Sequence, residues 1–218
     1  MLKLKIMQFL ILIKEVIIIG PEHYYSNKPT SAHDYQEFGI RIRNVNLKLI
    51  TDAGIFSKNR LDPGTKLLIE SLPLDPKQKK VFDLGCGYGP IGLTIAKLLP
   101  ESTIYMSDIN ERAVELGTKN ARLNGINNVV IKAGEGFEAF SDQKFDLIVT
   151  NPPIRAGKQI IYGLIDQAHE ALQSGGWLML VIKTKHGAKS MEAKLNSVFK
   201  NVTEVEKGGG YRVFGSRK

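Results

Sequence analysis

What most constrains this chain is an alternation that begins near residue 60 and runs to the C-terminus: short apolar runs separated by amphipathic segments. The stretches "KKVFDL", "STIYMSD", "NVVIKA", "KFDLIVT" and "GWLMLVIK" are rich in apolar and β-branched residues and too short for helices, so they predict strands. Between them, "TKLLIESL", "IGLTIAKLL", "ERAVELGTKNARLNG", "KQIIYGLIDQAHEALQ" and "AKSMEAKLNSVF" carry apolar residues at helical spacing. Ile161, Leu164, Ile165, Ala168 and Leu172 form one such stripe, and Gly125 ends the third helix. Repeated strand-helix units imply a parallel sheet covered by helices on both faces, with ligands held beyond the carboxyl ends of the strands. The closing "NVTEVEKGGGYRVFGSRK" reads as two antiparallel strands joined through Gly208 to Gly210.

Ahead of this pattern, "GIRIRNVNLKLITD" alternates strictly, with Ile40 and Ile42 on one phase and Val45, Leu47 and Leu49 on the other. The phase slips at Asn44, as a turn or bulge requires. The outward faces carry Arg41, Arg43 and Lys48, which suit a phosphate backbone and equally a solvated antiparallel face. Residues 1–20 hold an eight-residue apolar run followed by Lys14 and Glu15. That pattern satisfies neither a signal peptide nor a span of about 20 apolar residues. The expected organisation is a peripheral extension at 1–20, an arm and strand pair at 21–55, and one catalytic domain at 56–218.

Lys and Arg outnumber Asp and Glu by 30 to 22, a formal charge of +8 that favours polyanionic partners. Cys86 is the single cysteine, which excludes an internal disulfide and any Cys-rich zinc site and suits a reducing, cytoplasmic setting. The four histidines are scattered, with no metal-binding spacing, so metal-free chemistry is expected.

"VFDLGCGYGPIGL" sets Asp83, Gly85, Gly87 and Gly89 between the first parallel strand and its helix. Its G-x-G-x-x-G spacing is shared with dinucleotide dehydrogenases and alone separates nothing. Asp83, however, would repel a pyrophosphate and attract a cationic ligand. Gly89 widens the loop so that backbone amides can approach a carboxylate tail. Asp108, ending the next strand in "MSDIN", can accept from two ribose hydroxyls. A ligand with a ribose, a cationic centre and an amino-acid tail is S-adenosylmethionine.

These residues resemble the class I S-adenosylmethionine-dependent methyltransferases: "DLGCGYGP" looks like their first motif and "SDIN" like their acidic ribose motif. The resemblance implies a Rossmann-like α/β fold with a seven-stranded sheet ordered 3-2-1-4-5-7-6, its last strand antiparallel. It implies cofactor contacts at Asp83, Gly85, Cys86, Gly87, Gly89, Asp108, Ile109 and Asn110. Glu135 would face the adenine amino group, with Gly136 in the same wall and Gly134 and Phe137 flanking the ring.

In "VTNPPI" the two prolines cannot join a sheet ladder, so Asn151 emerges where its strand stops, beside the first strand. An exocyclic amine on a nucleobase is a poor nucleophile, because its lone pair is delocalised into the ring. Two acceptors, the Asn151 side-chain oxygen and the Pro152 carbonyl, would orient it for in-line attack. No metal or strong base is needed, since the proton becomes acidic once the nitrogen is alkylated. Asn151, Pro152, Pro153 and Ile154 resemble the N/D-P-P-Y/F/I motif of amino methyltransferases, and Asn151 also borders the cofactor. Adenine-N6 and glutamine enzymes usually carry an aromatic residue where this chain has Ile154, which points towards guanine N2.

A closer resemblance, in "EHYYSNKPTS", "TDAGIFSKNRLDPGTKLLIE", "DLGCGYGPIGL", "NERAVEL" and "NPPIRAGK", is to the small single-domain members of the ribosomal RNA small-subunit methyltransferase C-like family. It implies N2-methylation of a guanine in 16S ribosomal RNA, with that RNA or the small subunit as partner. It implies wall residues Phe56, Ser57 and Lys58, capping residues Asp62 and Thr65, and phosphate contacts from Arg155 and Lys158. Larger members carry a degenerate methyltransferase domain where this chain has its arm and strand pair. The competing readings are an adenine-N6 or glutamine methyltransferase and a non-catalytic module binding RNA or cofactor.

Overall fold

The computed structural model describes residues 32–55, Ser57 and residues 60–218, without the side chain of Arg155. The extension at 1–20, the first part of the arm, Phe56, Lys58 and the Arg155 side chain therefore lie outside the described residues.

The alternating segment forms an antiparallel hairpin, β1 (Gln36–Ile42) and β2 (Val45–Thr51), with Ile42 opposite Val45. Arg43 and Asn44 make its two-residue turn at φ 47° and 64°, the doubly left-handed backbone that matches strand twist. Asparagine tolerates that conformation readily. Arg43 is held there by its guanidinium, whose Nη1 donates to the carbonyls of Ile69 and Leu72 at 3.4 and 2.8 Å. These carbonyls lie at the end of helix α1 (Pro63–Ser71), where the Ile69 carbonyl also accepts from the Leu72 N–H at 3.5 Å. Arg43, expected on an outward basic face, is thus a turn residue that ties the hairpin to α1. Arg41 and Lys48 are exposed on the strands as expected.

The strand-helix alternation follows as β3 (Lys80–Leu84), α2 (Pro90–Leu98), β4 (Thr103–Asp108), α3 (Glu111–Leu123) and β5 (Val129–Ala133). Then come β6 (Phe145–Thr150), α4 (Lys158–Ala171), β7 (Leu172–Lys183), α5 (Ala188–Phe199), β8 (Thr203–Gly208) and β9 (Tyr211–Arg217). Seven strands form one sheet in the order β5-β4-β3-β6-β7-β9-β8. The first five pair in parallel, while β9 runs antiparallel to both its neighbours. This is the expected Rossmann-like methyltransferase arrangement, with strand order 3-2-1-4-5-7-6.

Because successive strand residues face opposite sides, β3 divides its apolar residues between two cores. Val81 packs with Leu47, Leu49, Leu68, Leu93 and Leu116, so one layer contains the hairpin and α1 to α3. Phe82 packs with Phe145, Ile161, Ile165, Leu195 and Phe214 in the layer under α4 and α5. Each such buried side chain contributes about 1.5–3 kcal/mol relative to exposure. Strand β7 starts earlier than the apolar run "GWLMLVIK" suggests: Leu172 leaves α4 at ψ 144° and pairs with Phe145. The register then shifts between Phe145 and Leu147, which accommodates the intervening glycines. Among the described residues no helix is long and apolar enough to cross a membrane.

Candidate active site

Strand β3 has β4 on one side and β6 on the other, so the chain reverses its direction of travel there and opens a crevice at the carboxyl ends. Asp83, near the end of β3, is fully buried. Its Oδ2 accepts from the Gly92 N–H at 2.8 Å, and among the described residues its Oδ1 has no partner. Burial pushes the carboxyl up to about 7; the Gly92 N–H opposes that shift and the neighbouring Asp108 adds to it. A buried acceptor without a partner costs roughly 1–3 kcal/mol, which a cationic donor would recover.

The glycine loop offers space beside this carboxylate. At Gly85, φ is +73° and an added Cβ would meet nothing within 4 Å. Its amides are largely spent internally. Gly85 and Cys86 both donate to the Ser107 carbonyl at 2.9 Å, Gly87 donates to Asp108 Oδ2 at 2.8 Å, and Gly89 donates to the Cys86 carbonyl at 3.0 Å. The sequence suggested free amides for a carboxylate tail; the fold uses these four to fasten the loop to β4 and to itself. At Gly92 an added Cβ would lie 2.7 Å from Met106 Sδ, so helix and sheet approach closely only because no side chain intervenes.

Asp108 is nearly buried, and its other oxygen accepts from the Asn110 N–H at 2.9 Å. The side chain of Asn110 caps α3 by accepting from the N–H groups of Arg112 and Ala113. Burial, with the charges of Asp83 and Asp108, pushes the Cys86 thiol well above its usual range, so it is no nucleophile at neutral pH. Ile109 is half-buried, Glu135 is exposed just past β5, and the Gly136 carbonyl accepts from Ser107 Oγ at 3.3 Å. Phe137, expected to flank the adenine, is buried edge-on against Phe82 at 5.2 Å between ring centres.

Asn151 follows β6, two residues beyond Val149, which pairs with Asp83. Its Nδ2 donates to Asp62 Oδ2 at 3.2 Å and to Thr65 Oγ1 at 2.9 Å. Only the NH2 end of the amide can face a carboxylate, so the orientation is settled and Oδ1 remains as an acceptor. Asp62 is also the N-cap of α1: Pro63 follows it, and Oδ2 accepts from the Thr65 N–H at 2.8 Å. Its Oδ1 accepts from the Tyr211 hydroxyl at 3.2 Å. Burial and the Asp62 charge push that phenol up to about 12, so it stays a donor.

Asp62 and Thr65, read from sequence as capping residues, therefore also hold Asn151. Sequence reading missed Tyr211. Gly64 lets its ring approach α1 closely, since an added Cβ there would lie 2.5 Å from it. Pro152 is buried, and among the described residues its carbonyl carries no hydrogen bond; that of Pro153 is taken by Ala156 at 2.9 Å. Ile154 is half-buried against the core beneath α4 and α5. Lys158 is exposed at the start of α4, and Ser57 Oγ donates to the Arg60 carbonyl. Beyond Asp62 and Tyr211 lies a cavity of about 630 Å³ whose wall includes Ser57, Arg60, Lys183 and Lys185. Among the described residues no cluster of His, Cys, Asp or Glu could hold a metal ion.

The model of the methyltransferase small domain family matches residues 46–215. The chain is 43% identical over 198 residues to the uncharacterized protein YbxB of Bacillus subtilis (strain 168), covering 90% of this chain and 98% of that one. It is 41% identical over 143 residues to ribosomal RNA small subunit methyltransferase C of Haemophilus influenzae (strain PittGG), covering 62% and 42%. It is 28% identical over 195 residues to ribosomal RNA large subunit methyltransferase G of Shewanella woodyi, covering 84% and 46%. The chain thus spans less than half the length of these two ribosomal RNA methyltransferases. Among solved structures, the Thermus thermophilus 16S rRNA N2 G1207 methyltransferase (RsmC) in complex with AdoMet and guanosine superposes with a TM-score of 0.77 at 25% identity, covering 87% of this chain and 52% of that one. The orphaned Asp83 oxygen and the open space at Gly85 fit the ammonium group and bulk of S-adenosylmethionine, and the chain belongs to the methyltransferase small domain family of S-adenosylmethionine-dependent enzymes.

Proposed function

We propose that this protein methylates the exocyclic N2 amine of a guanine in 16S ribosomal RNA. The observation that carries the reading is the clamp on Asn151. With both amide protons committed to Asp62 and Thr65, its Oδ1 can only accept, and the neighbouring Pro152 carbonyl is a second acceptor. Two acceptors on one amine orient its lone pair and favour pyramidalisation as the new C–N bond forms. The surplus proton then leaves to solvent. Bound S-adenosylmethionine supplies an electrophilic sulfonium methyl. Asp83 Oδ1 would take its ammonium group, Asp108 its ribose, and the Glu135–Gly136 segment its adenine, with Ile109 and the Gly85–Gly89 loop forming the wall. The caps at Asp62 and Asn110 keep these groups in place before substrate arrives.

Guanine is favoured over adenine or glutamine because Ile154 packs into the core and presents no aromatic face, and because RsmC is an N2 G1207 methyltransferase. This reading puts the protein in the cytoplasm with ribosomal RNA as its partner. A 23S acceptor is the second reading, supported by the likeness to large subunit methyltransferase G. Mass analysis of nuclease-digested 16S and 23S RNA from a deletion strain separates them. Loss of one N2-methylguanosine from 16S RNA, restored by the purified protein, is the expected result. Loss from 23S RNA moves the acceptor to the large subunit, and an unchanged modification profile in both RNAs defeats the proposal.

A further inference from the structure

The cavity beyond Asp62 is not absorbed by the cofactor or by the amine clamp. Its wall joins the end of β7, the β8–β9 turn and the segment before α1, and it carries Arg60, Lys183 and Lys185. All three are exposed, and among the described residues none of them is in an ion pair. Among the described residues of the wall the one carboxylate is Asp62, whose oxygens accept from Thr65, Asn151 and Tyr211. Even counting Asp62 as one negative charge, the three cations leave the wall with an excess of positive charge. The wall is also held in shape. The Thr184 N–H donates to the Gly210 carbonyl at 2.8 Å, Lys183 pairs with Tyr211 across β7 and β9, and the Lys183 ammonium sits 5.4 Å from the Tyr211 ring centre.

A fixed cleft of about 630 Å³ with an excess of positive charge suits an anionic strand and falls within the usual range for ligand sites. Its position follows from shared residues: Asp62 and Tyr211 form part of its wall, while Asp62 accepts from Asn151 and Tyr211 donates to Asp62. A ligand in the cleft is thus one wall away from the amine clamp. We infer that Arg60, Lys183 and Lys185 bind the phosphodiester backbone of the RNA strand beside the acceptor nucleotide, so that the base enters the clamp while its neighbouring phosphates stay in the cleft. This subsite rests on the RNA methyltransferase reading above. Phosphate contacts of this kind position the strand without reading its sequence.

The test uses the full-length protein, radiolabelled S-adenosylmethionine and ribosomal RNA purified from the deletion strain. The double variant Lys183→Ala/Lys185→Ala should raise KM for RNA on the order of tenfold near physiological salt, and it should flatten the dependence of log(kcat/KM) on log[salt] by about one to two units. Cofactor affinity by calorimetry should match the wild type, which shows that the variant is folded. Lys183→Glu/Lys185→Glu should be worse than the alanine pair, whereas Lys97→Ala, on the surface of α2, should behave as the wild type. A lysine variant with wild-type KM and salt slope overturns the subsite while leaving the enzyme assignment intact. A wild-type protein that binds cofactor but methylates neither 16S nor 23S RNA overturns the RNA reading and the subsite together.

Discussion

Asn151 has its amide protons engaged by Asp62 and Thr65, so replacing it removes a positioned acceptor and leaves those two partners to water. Asn151→Ala should lower kcat on the order of 10²–10³-fold while cofactor affinity stays within about twofold. Retained turnover on the true RNA would sink its catalytic role. Asp83 behaves differently because its environment penalises the charged form. Burial raises its carboxyl to about 7 in the folded protein, whereas the unfolded chain ionises near 3.9. The folded state therefore keeps a proton that the unfolded state releases. The resulting contribution to stability is fully present below about pH 4 and is lost as pH rises through 7. Asp83→Asn removes this titration, so the ligand-free variant should gain in Tm over the wild type between pH 4 and 7 and hold that gain above. It should also lose cofactor affinity. A Tm difference independent of pH would show that Asp83 does not titrate in this window.

At the scale of elements, the hairpin is hydrogen-bonded to the end of α1 through the Arg43 side chain. Arg43 Nη1 donates to two carbonyls at the end of that helix, and hydrogen bonds from a charged donor contribute about 1.5–3 kcal/mol. Arg43→Ala should destabilise the protein by about 1–3 kcal/mol in urea unfolding, with KM for RNA unchanged. Unaltered stability with a raised KM would return Arg43 to the phosphate-binding role that its place in an alternating basic segment suggested. The alternation of β1 and β2 was legible because period two shows which residues face inward. The destination of a long arginine side chain was not, since it depends on a helix more than twenty residues further along. The same limit applies to the glycine loop. Positive φ at Gly85 and Gly89 could be anticipated from residue type, but the transfer of the loop amides to Ser107 and Asp108 depends on how β4 lies beside β3.

Over the whole molecule the two sheets share one apolar layer, in which Leu47 and Leu49 of the hairpin pack with Leu68 and Leu93 of the helices. Asn120 of α3 strengthens this union, since its Oδ1 accepts from the Ile50 N–H and its Nδ2 donates to the Ile50 and Tyr88 carbonyls. The hairpin edge thus borrows a side-chain amide to complete its backbone hydrogen bonds. By itself the sequence determined the strand-helix succession and, through its resemblance to a known family, the order of the sheet, and it singled out Asp83, Asp108 and Asn151 as candidates. Those are properties of local period and of short motifs. Only the tertiary structure decided which side chains meet. Asp62 and Thr65, at the start of α1, meet Asn151 directly, and Tyr211 of β9 reaches it through Asp62, because β9 lies inside the sheet and α1 packs across it. Arg60, Lys183 and Lys185 share one wall for the same reason: sequence separation says nothing about distance once the chain has crossed the sheet and returned.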